Sequence, residues 1–335
     1  MSFLNLGFKI LVSNIKTLSF PYKLIFAATY KCNSKCKICK IWKKEIKNEL
    51  TLDEIQIFFS KNRFHWVNLT GGEVFLREDL VEIVEAMKGI YMLNTTTNGI
   101  LTDKIVRDSI RIKKIVPKYI LTVSIDGAKE LHDKLRGVKC WQKAIDTYKK
   151  TKEAGIESYI GITISPHNIK YFDDTLNEIK RAIPDFTNKD LHVNFYHESE
   201  IYFENKNELK LDEKYKENIV KTIDKLKEIK TGFGPINSLE RKYIKLFEKY
   251  IQSNVSPIPC KALSTSCFLD PQGNVYPCTF MKNNLGNIRK LEYDLKKIYQ
   301  GKKFDETMRK IKNNNCPGCW TPCEAYQSIL GNLIR

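Results

Sequence analysis

Cys32, Cys36 and Cys39 stand in one short run with the spacing C-x3-C-x2-C, directly after an apolar segment. Three thiolates on such a loop can hold three corners of a cubane iron–sulfur cluster and leave the fourth iron without a protein ligand. Clusters that only pass electrons ordinarily take four thiolates. An open coordination position is what catalytic metals keep, so the missing ligand points to a cluster that binds a substrate or cofactor directly. A second set lies far downstream at Cys260, Cys267, Cys278, Cys316, Cys319 and Cys323. Paired cysteines there also suit a zinc ribbon. Cys140 stands alone beside Trp141 and reads as an ordinary buried thiol.

A cysteine loop needs a scaffold, and the hydrophobic pattern describes one. Apolar or β-branched runs recur at 23–29, 65–70, 91–96, 119–125, 157–165 and 191–196. Between them, 52–60, 78–88, 104–112, 141–154 and 171–183 carry apolar residues at helical spacing. Thr51 followed by Glu54 forms a capping box at the first of these helices. Alternating strands and helices indicate parallel βα units, and strands apolar throughout are buried on both faces. Six units fall short of the eight in a closed barrel, so the fold class is α/β. The expected architecture is a partial (β/α)6 TIM-like barrel with a small C-terminal cysteine-rich α+β domain. The expected division is an amphipathic helix at 1–22, the barrel at 23–200, a charged helical linker at 201–255 and the cysteine-rich domain at 256–335. A break falls at 232–235 inside the linker.

Chemistry in such sheets sits at the C-terminal ends of the strands. Those ends carry the cysteine loop, Thr70 to Glu73, Asn98, Ser124 with Asp126, Thr163, and His197 with Glu198. Small polar residues also end strands for plain turn reasons; their joint placement with the cysteine loop carries the argument. His197 and Glu198 read equally as substrate contacts, as a proton-transfer pair or as solvated residues.

Composition bounds the remaining readings. No apolar run approaches the roughly 18–20 residues of a membrane span, and no secretory signal pattern opens the chain. Disulfide scaffolds belong to short secreted chains, so ten cysteines in 335 residues indicate metal in a reducing compartment, the cytoplasm. A net charge of +17 admits an anionic partner, although the lysines are spread along the chain and no nucleic acid is expected.

These residues resemble the radical S-adenosylmethionine (SAM) superfamily over about residues 23–200. The cysteine loop after the first strand matches its cluster motif, with Ile38 where an aromatic is usual, and Gly71-Gly72-Glu73 matches its GGE motif after the second. The resemblance implies a [4Fe-4S] cluster on Cys32, Cys36 and Cys39 whose open iron chelates SAM. Gly71 and Gly72 would let backbone carbonyls approach the methionyl ammonium, and Glu73 would offer it a carboxylate. Ser124 and Asp126 would lie at the ribose or carboxylate, Arg136 would pair with the SAM carboxylate, and Asn98 and Thr163 would contact ribose or adenine. Reductive cleavage of SAM would give a 5′-deoxyadenosyl radical that abstracts hydrogen from a substrate. An electron donor of ferredoxin or flavodoxin type is implied.

The downstream cysteines are similar to the auxiliary-cluster domain called SPASM, or to its shortened twitch form. Cys260 to Cys278 fits C-x12-G-x4-C. At least one auxiliary [4Fe-4S] cluster is implied, on Cys260, Cys267, Cys278 and one later cysteine, with Cys316 and Cys319 serving a second site. The turn at 270–273 should place Cys267 and Cys278 on paired strands. Relatives of this kind often modify peptides or proteins, and a lipid is the next substrate class. Leu4, Phe8, Leu11, Val12, Ile15 and Leu18 share a helical face that should pack against the barrel. A peripheral membrane contact through residues 1–20 is its alternative use. The rival functions are a zinc-dependent nucleic-acid-binding protein and an iron–sulfur electron-transfer protein.

Overall fold

Strands rich in apolar and β-branched residues pair side by side along the chain, as a computed structural model of all residues except Met1, Lys210, Phe233 and Arg335 shows. Helix α1 (Phe3–Ile15) precedes six strands: β1 (Lys23–Thr29), β2 (Trp66–Gly71), β3 (Met92–Thr97), β4 (Lys118–Ser124), β5 (Glu157–Ile164) and β6 (Leu191–Phe195). They pair in parallel and in chain order. Helices α2 (Leu52–Lys61), α3 (Leu80–Ala86), α4 (Thr102–Ile115), α5 (Lys129–Arg136), α6 (Trp141–Glu153) and α7 (Phe172–Ala182) connect them. The capping box at Thr51 and Glu54 forms as expected.

Side-chain parity divides the sheet into two faces. Leu24, Phe26 and Ala28 join the large core under the helices, whereas Ile25 and Ala27 join a smaller cluster inside the barrel. Along β5 the buried Ile160, Ile162 and Ile164 alternate with the more open Tyr159, Gly161 and Thr163, so Thr163 shares the inner face.

An open barrel leaves β6 as an edge with unpaired backbone groups. Helices α8 (Glu213–Ile229) and α9 (Pro235–Ser253) cover it. The Glu240 carboxylate accepts from Val193 N at 3.1 Å, and the Lys230 ammonium donates to Leu191 O and pairs with Glu240 at 2.6 Å. Both charged side chains are almost fully buried. The expected break at 232–235 falls between these helices, with Phe233 itself outside the described residues.

The cysteine-rich segment continues the same sheet. Strand β7 (Ser266–Leu269) pairs in parallel with the free side of β1, then antiparallel with β8 (Asn274–Tyr276), which pairs with β9 (Gly286–Asn287). Gly273 turns the hairpin at φ +85°, and Asp270 caps it by accepting from the backbone of Gln272 and Asn274. Cys278 lies two residues beyond β8 rather than on a strand paired with Cys267. Helices α10 (Lys296–Tyr299), α11 (Lys302–Lys312) and α12 (Pro322–Leu330) complete the chain.

Helix α1 packs the opposite way from the expectation. Leu6 is buried and Ile10 packs with it against Trp66, Tyr326 and Leu330. Leu4, Phe8, Leu11 and Ile15 face solvent. Only Leu18, beyond the helix, is buried, and Val12 is half-buried. The helix has two apolar stripes, and the narrower one fits against α12.

Candidate active site

The cysteine loop is clamped at its base by backbone bonds. Lys35 N donates to Arg136 O and Lys37 N to Leu135 O, both at 2.8 Å, so the last carbonyls of α5 hold the two residues flanking Cys36. Gly137 ends that helix in the left-handed conformation at φ +67°. The second strand's loop is laced to the same segment: Gly72 N donates to Thr29 O and Glu73 N to Lys31 O. A methyl group on Gly72 would stand 2.1 Å from Lys31 O. Gly72 is therefore required first by contact with the chain's own cysteine loop, and Gly71, at φ +135°, by contact with Thr29 O at the end of β1. Gly71 O is also engaged, accepting from Tyr202 OH at 3.2 Å. Gly72→Ala should push the loop outward, and iron retention after desalting should fall several-fold against the wild type.

Glu73 departs from its expected role. Its carboxylate is fully buried and turned away from the loop, accepting from Asn98 N at 2.7 Å, Thr97 Oγ1 at 3.0 Å and Phe75 N at 3.2 Å. Burial pushes the carboxyl up to about 7 against the pull of these donors. It ties the end of β2 to the end of β3 and positions the glycines instead of meeting a ligand ammonium.

Asp126 and Arg136 form a buried pair at 2.7 Å. The second Asp126 oxygen accepts from Thr163 N, joining the ends of β4 and β5, and Arg136 Nη1 lies 3.8 Å from Cys36 Sγ. Arg136 Nε is buried without a partner, and so is Ser34 Oγ. Asn98 donates to Asn33 Oδ1, which anchors the loop from the third strand end. Burial raises the thiols, Cys32 to about 11 and Cys39 to about 12. Such thiols become thiolates when a cationic iron binds them, with Arg136 assisting at Cys36. His132, Asp133 and Cys140 also lie close together, but Asp133 accepts from Cys140 N and Trp141 N, and His132 lies between Asp126 N and Cys140 Sγ. Hydrogen bonds thus account for that cluster, and Cys140 is buried as expected.

One cleft gathers the strand ends. It encloses about 1150 Å³ of empty space, part of it open to solvent, and its walls include Cys32, Cys36, Cys39, Gly71 and Gly72. Asn98, Ser124, Asp126, Arg136 and Thr163 complete that wall, while Glu73 does not reach it. Residues 27–179 match the radical SAM superfamily, and residues 260–333 match the iron–sulfur cluster-binding domain SPASM. The chain therefore carries a radical SAM domain followed by a SPASM domain. Such proteins use an open [4Fe-4S] cluster with SAM, and SPASM domains add auxiliary iron–sulfur clusters.

Relatives of this radical SAM protein include the Fe-coproporphyrin III synthase of Methanosarcina barkeri, 30% identical over 44% of this chain and 38% of that one. The sporulation killing factor maturation protein SkfB of Bacillus subtilis is 26% identical over 48% of this chain and 40% of its own. The chain thus spans about two fifths of the length of these curated relatives. Among solved structures, Streptococcus suis SuiB bound to S-adenosylmethionine shares the fold over 91% of this chain and 72% of its own, with a TM-score of 0.63 and 18% identity. The AdoMet-bound anSMEcpe shares it over 94% and 96%, with a TM-score of 0.65 and 19% identity.

Five of the six SPASM cysteines, Cys260, Cys267, Cys278, Cys316 and Cys319, pack on the helix-side core. Cys319 lies within electrostatic reach of Cys278, Cys260 and Cys316, and Cys260 within reach of Cys316. These four thiols are near neighbours, with the Glu324 carboxyl beside them. Cys267 is buried in that same core, on the face of β7 shared with Leu269 and beside Tyr299. Cys323 stands apart. It lines the cleft and packs on the inner-barrel cluster with Cys39, and the fully buried Lys23 donates to its carbonyl at 2.7 Å. Thiolates around one zinc at about 2.3 Å lie roughly 3.8 Å apart. Among the described residues, no three cysteine sulfurs lie within 4.8 Å of one another, a spread that suits a cubane better than a zinc ribbon. Cys278→Ala should lose about four irons per chain, whereas Cys267→Ala and Cys323→Ala should keep the wild-type iron count.

His197 is buried with both ring nitrogens engaged, whereas Glu198 is half-buried at the surface. His197 Nε2 accepts from Trp320 N at 3.0 Å while Nδ1 faces Phe195 O at 2.8 Å, and burial lowers its pKa to about 4. The neutral ring braces the end of β6 against the residue after Cys319. Glu198 accepts from Asn207 N. Sequence reasoning missed Tyr202, whose hydroxyl contacts Thr70 and Gly71, and Asn205, which donates to Ile38 O. Both sit in a segment read as linker, and no local pattern marks them.

Proposed function

We propose that this radical SAM protein is an enzyme that cleaves SAM reductively at a cluster on Cys32, Cys36 and Cys39 and abstracts a hydrogen atom from a peptide or protein substrate. The observation that carries the reading is the single cleft, which joins the three loop thiols to the polar ends of the strands. When bound, the reduced cluster and SAM supply a 5′-deoxyadenosyl radical. The chain supplies position and enclosure. Gly72 lets the second loop lie close to the cysteine loop, and Arg136, held by Asp126, presents an unpaired Nε suited to a ligand carboxylate. Ser34 Oγ, buried and unpartnered in the cleft wall, offers one further polar contact. Ser124, Asn98 and Thr163 are assigned to the ribose and adenine side.

A second cluster on Cys260, Cys278, Cys316 and Cys319, and a donor of ferredoxin or flavodoxin type, complete the electron path. No described helix is long and apolar enough to cross a membrane, and we place the protein in the reducing cytoplasm. The peptide substrate is supported by SkfB, a maturation protein matching 48% of this chain. Support also comes from a shared fold with SuiB, solved bound to the precursor peptide SuiA, across 97% of this chain.

Anaerobic reconstitution followed by iron counting and incubation with SAM and dithionite tests the reading. About eight irons per chain and formation of 5′-deoxyadenosine are expected. Deuterium transfer from labelled candidate peptides into that product would identify the substrate. Absence of 5′-deoxyadenosine would refute the activity, and iron near four per chain would remove the auxiliary cluster.

A further inference from the structure

A helix on a protein surface normally turns one apolar stripe inward and polar residues outward. Helix α1 does not. Leu6 and Ile10 pack inward, yet Phe3, Leu4, Phe8, Leu11 and Ile15 remain 62%, 76%, 64%, 56% and 81% exposed. Positions 4, 8, 11 and 15 repeat at helical spacing, so they form a continuous outer stripe. The C-terminal segment widens it. Asn14 Oδ1 accepts from Leu333 N at 2.6 Å and from Ile334 N at 3.3 Å, pinning beside α1 two more side chains that are 51% and 69% exposed. Isolated exposed apolar residues need no explanation, but a contiguous patch marks an interaction surface.

Charge decides between the occupants. Residues 1–22 carry Lys9 and Lys16 and no Asp or Glu, Lys261 donates to Ser13 O on the same helix, and residues 325–335 contain no Asp or Glu either. Docking a second copy would bring two bodies of net charge +17 together, which their repulsion opposes. An anionic bilayer offers opposite charge and an apolar interior at once. The helix is 13 residues long, about 20 Å, too short to cross the roughly 30 Å hydrocarbon layer but suited to lie in its interface.

We propose that the outer stripe of α1, with Leu333 and Ile334, is a docking surface for anionic phospholipid membranes. This inference does not rest on the proposed catalytic activity. Flotation of the reconstituted full-length protein with phosphatidylcholine vesicles, with and without phosphatidylglycerol, tests it. Binding to the anionic vesicles should exceed binding to the neutral ones at least tenfold at low salt and fall as salt rises. Phe8→Ser with Leu11→Ser should reduce anionic binding at least tenfold while melting temperature and SAM cleavage in solution stay unchanged. If that variant fails to fold, Leu4→Ser with Ile15→Ser serves the same purpose. The proposal is overturned if the wild type ignores anionic vesicles or if a folded variant binds them equally well. Light scattering that shows a wild-type dimer dissociated by the same substitutions would also overturn it, by identifying a second copy as the occupant.

Discussion

Cys36→Ala should remove about four irons per chain and bring 5′-deoxyadenosine formation below detection, while the iron on the downstream thiols stays. Cys36 is the middle of the three loop thiols, its neighbours are fastened to α5 through Lys35 and Lys37, and Arg136 reaches its sulfur. Cys140, the other cysteine of the barrel, stands at the start of α6 facing His132 Nε2 at 3.3 Å and is not part of the loop. Two thiols would be left where a cubane needs three. The backbone bonds of the loop do not involve the removed sulfur, so the fold should survive and the thermal transition should move little. Iron and sulfide counts beside product formation separate the outcomes. Persistent SAM cleavage would sink the assignment of this loop, and loss of all iron would show that the two sites load together.

Lys230→Met should destabilise the protein by about 3–5 kcal/mol, the usual cost of leaving one member of a buried pair without its partner. Side chains of Lys230 and Glu240 are 2% and 1% exposed, so water cannot replace the lost ammonium. The substitution also strips a donor from Leu191 O at the sheet edge. Chemical denaturation at neutral pH measures the effect, and Lys227→Met at an exposed pair is the control, expected to cost less than about 1 kcal/mol. Burial already raises the Glu240 carboxyl. A group raised in the folded state favours folding where it is protonated and loses that contribution as pH rises, so the variant's deficit should narrow on acidification. A deficit independent of pH would mean that Glu240 finds another cation.

All six barrel strands stand within a residue or two of where their apolar or β-branched runs place them, although only β1 is buried throughout and the other five mix buried with more open positions. The cleft was readable because residues just after consecutive parallel strands must meet at one end of the sheet. What failed depended on direction rather than position. Helix α1 has two apolar stripes, and nothing in its periodicity says which one a neighbour covers. The side on which Cys267 lies is unmarked in the same way: Ser266 and Phe268 beside it face the barrel interior, and that parity is set by pairing with β1, far away in the chain. Glu73 and His197 are polar residues at strand ends, as expected of ligand contacts, but the structure occupies their hydrogen-bonding atoms with protein groups, among them the distant backbone amides of Asn98 and Trp320.

Strand β1 is hydrogen-bonded to β2 on one side and to β7 on the other. Cys32 follows β1, and the hairpin begun by β7 has Cys260 six residues before it and Cys278 just past its second strand. Clusters held on those thiols would be joined by a ladder of backbone bonds and not by a hinge. The gap an electron must tunnel across is then a constant of the architecture. A substrate could change the driving force for the transfer, but it could not bring donor and acceptor closer without tearing the sheet.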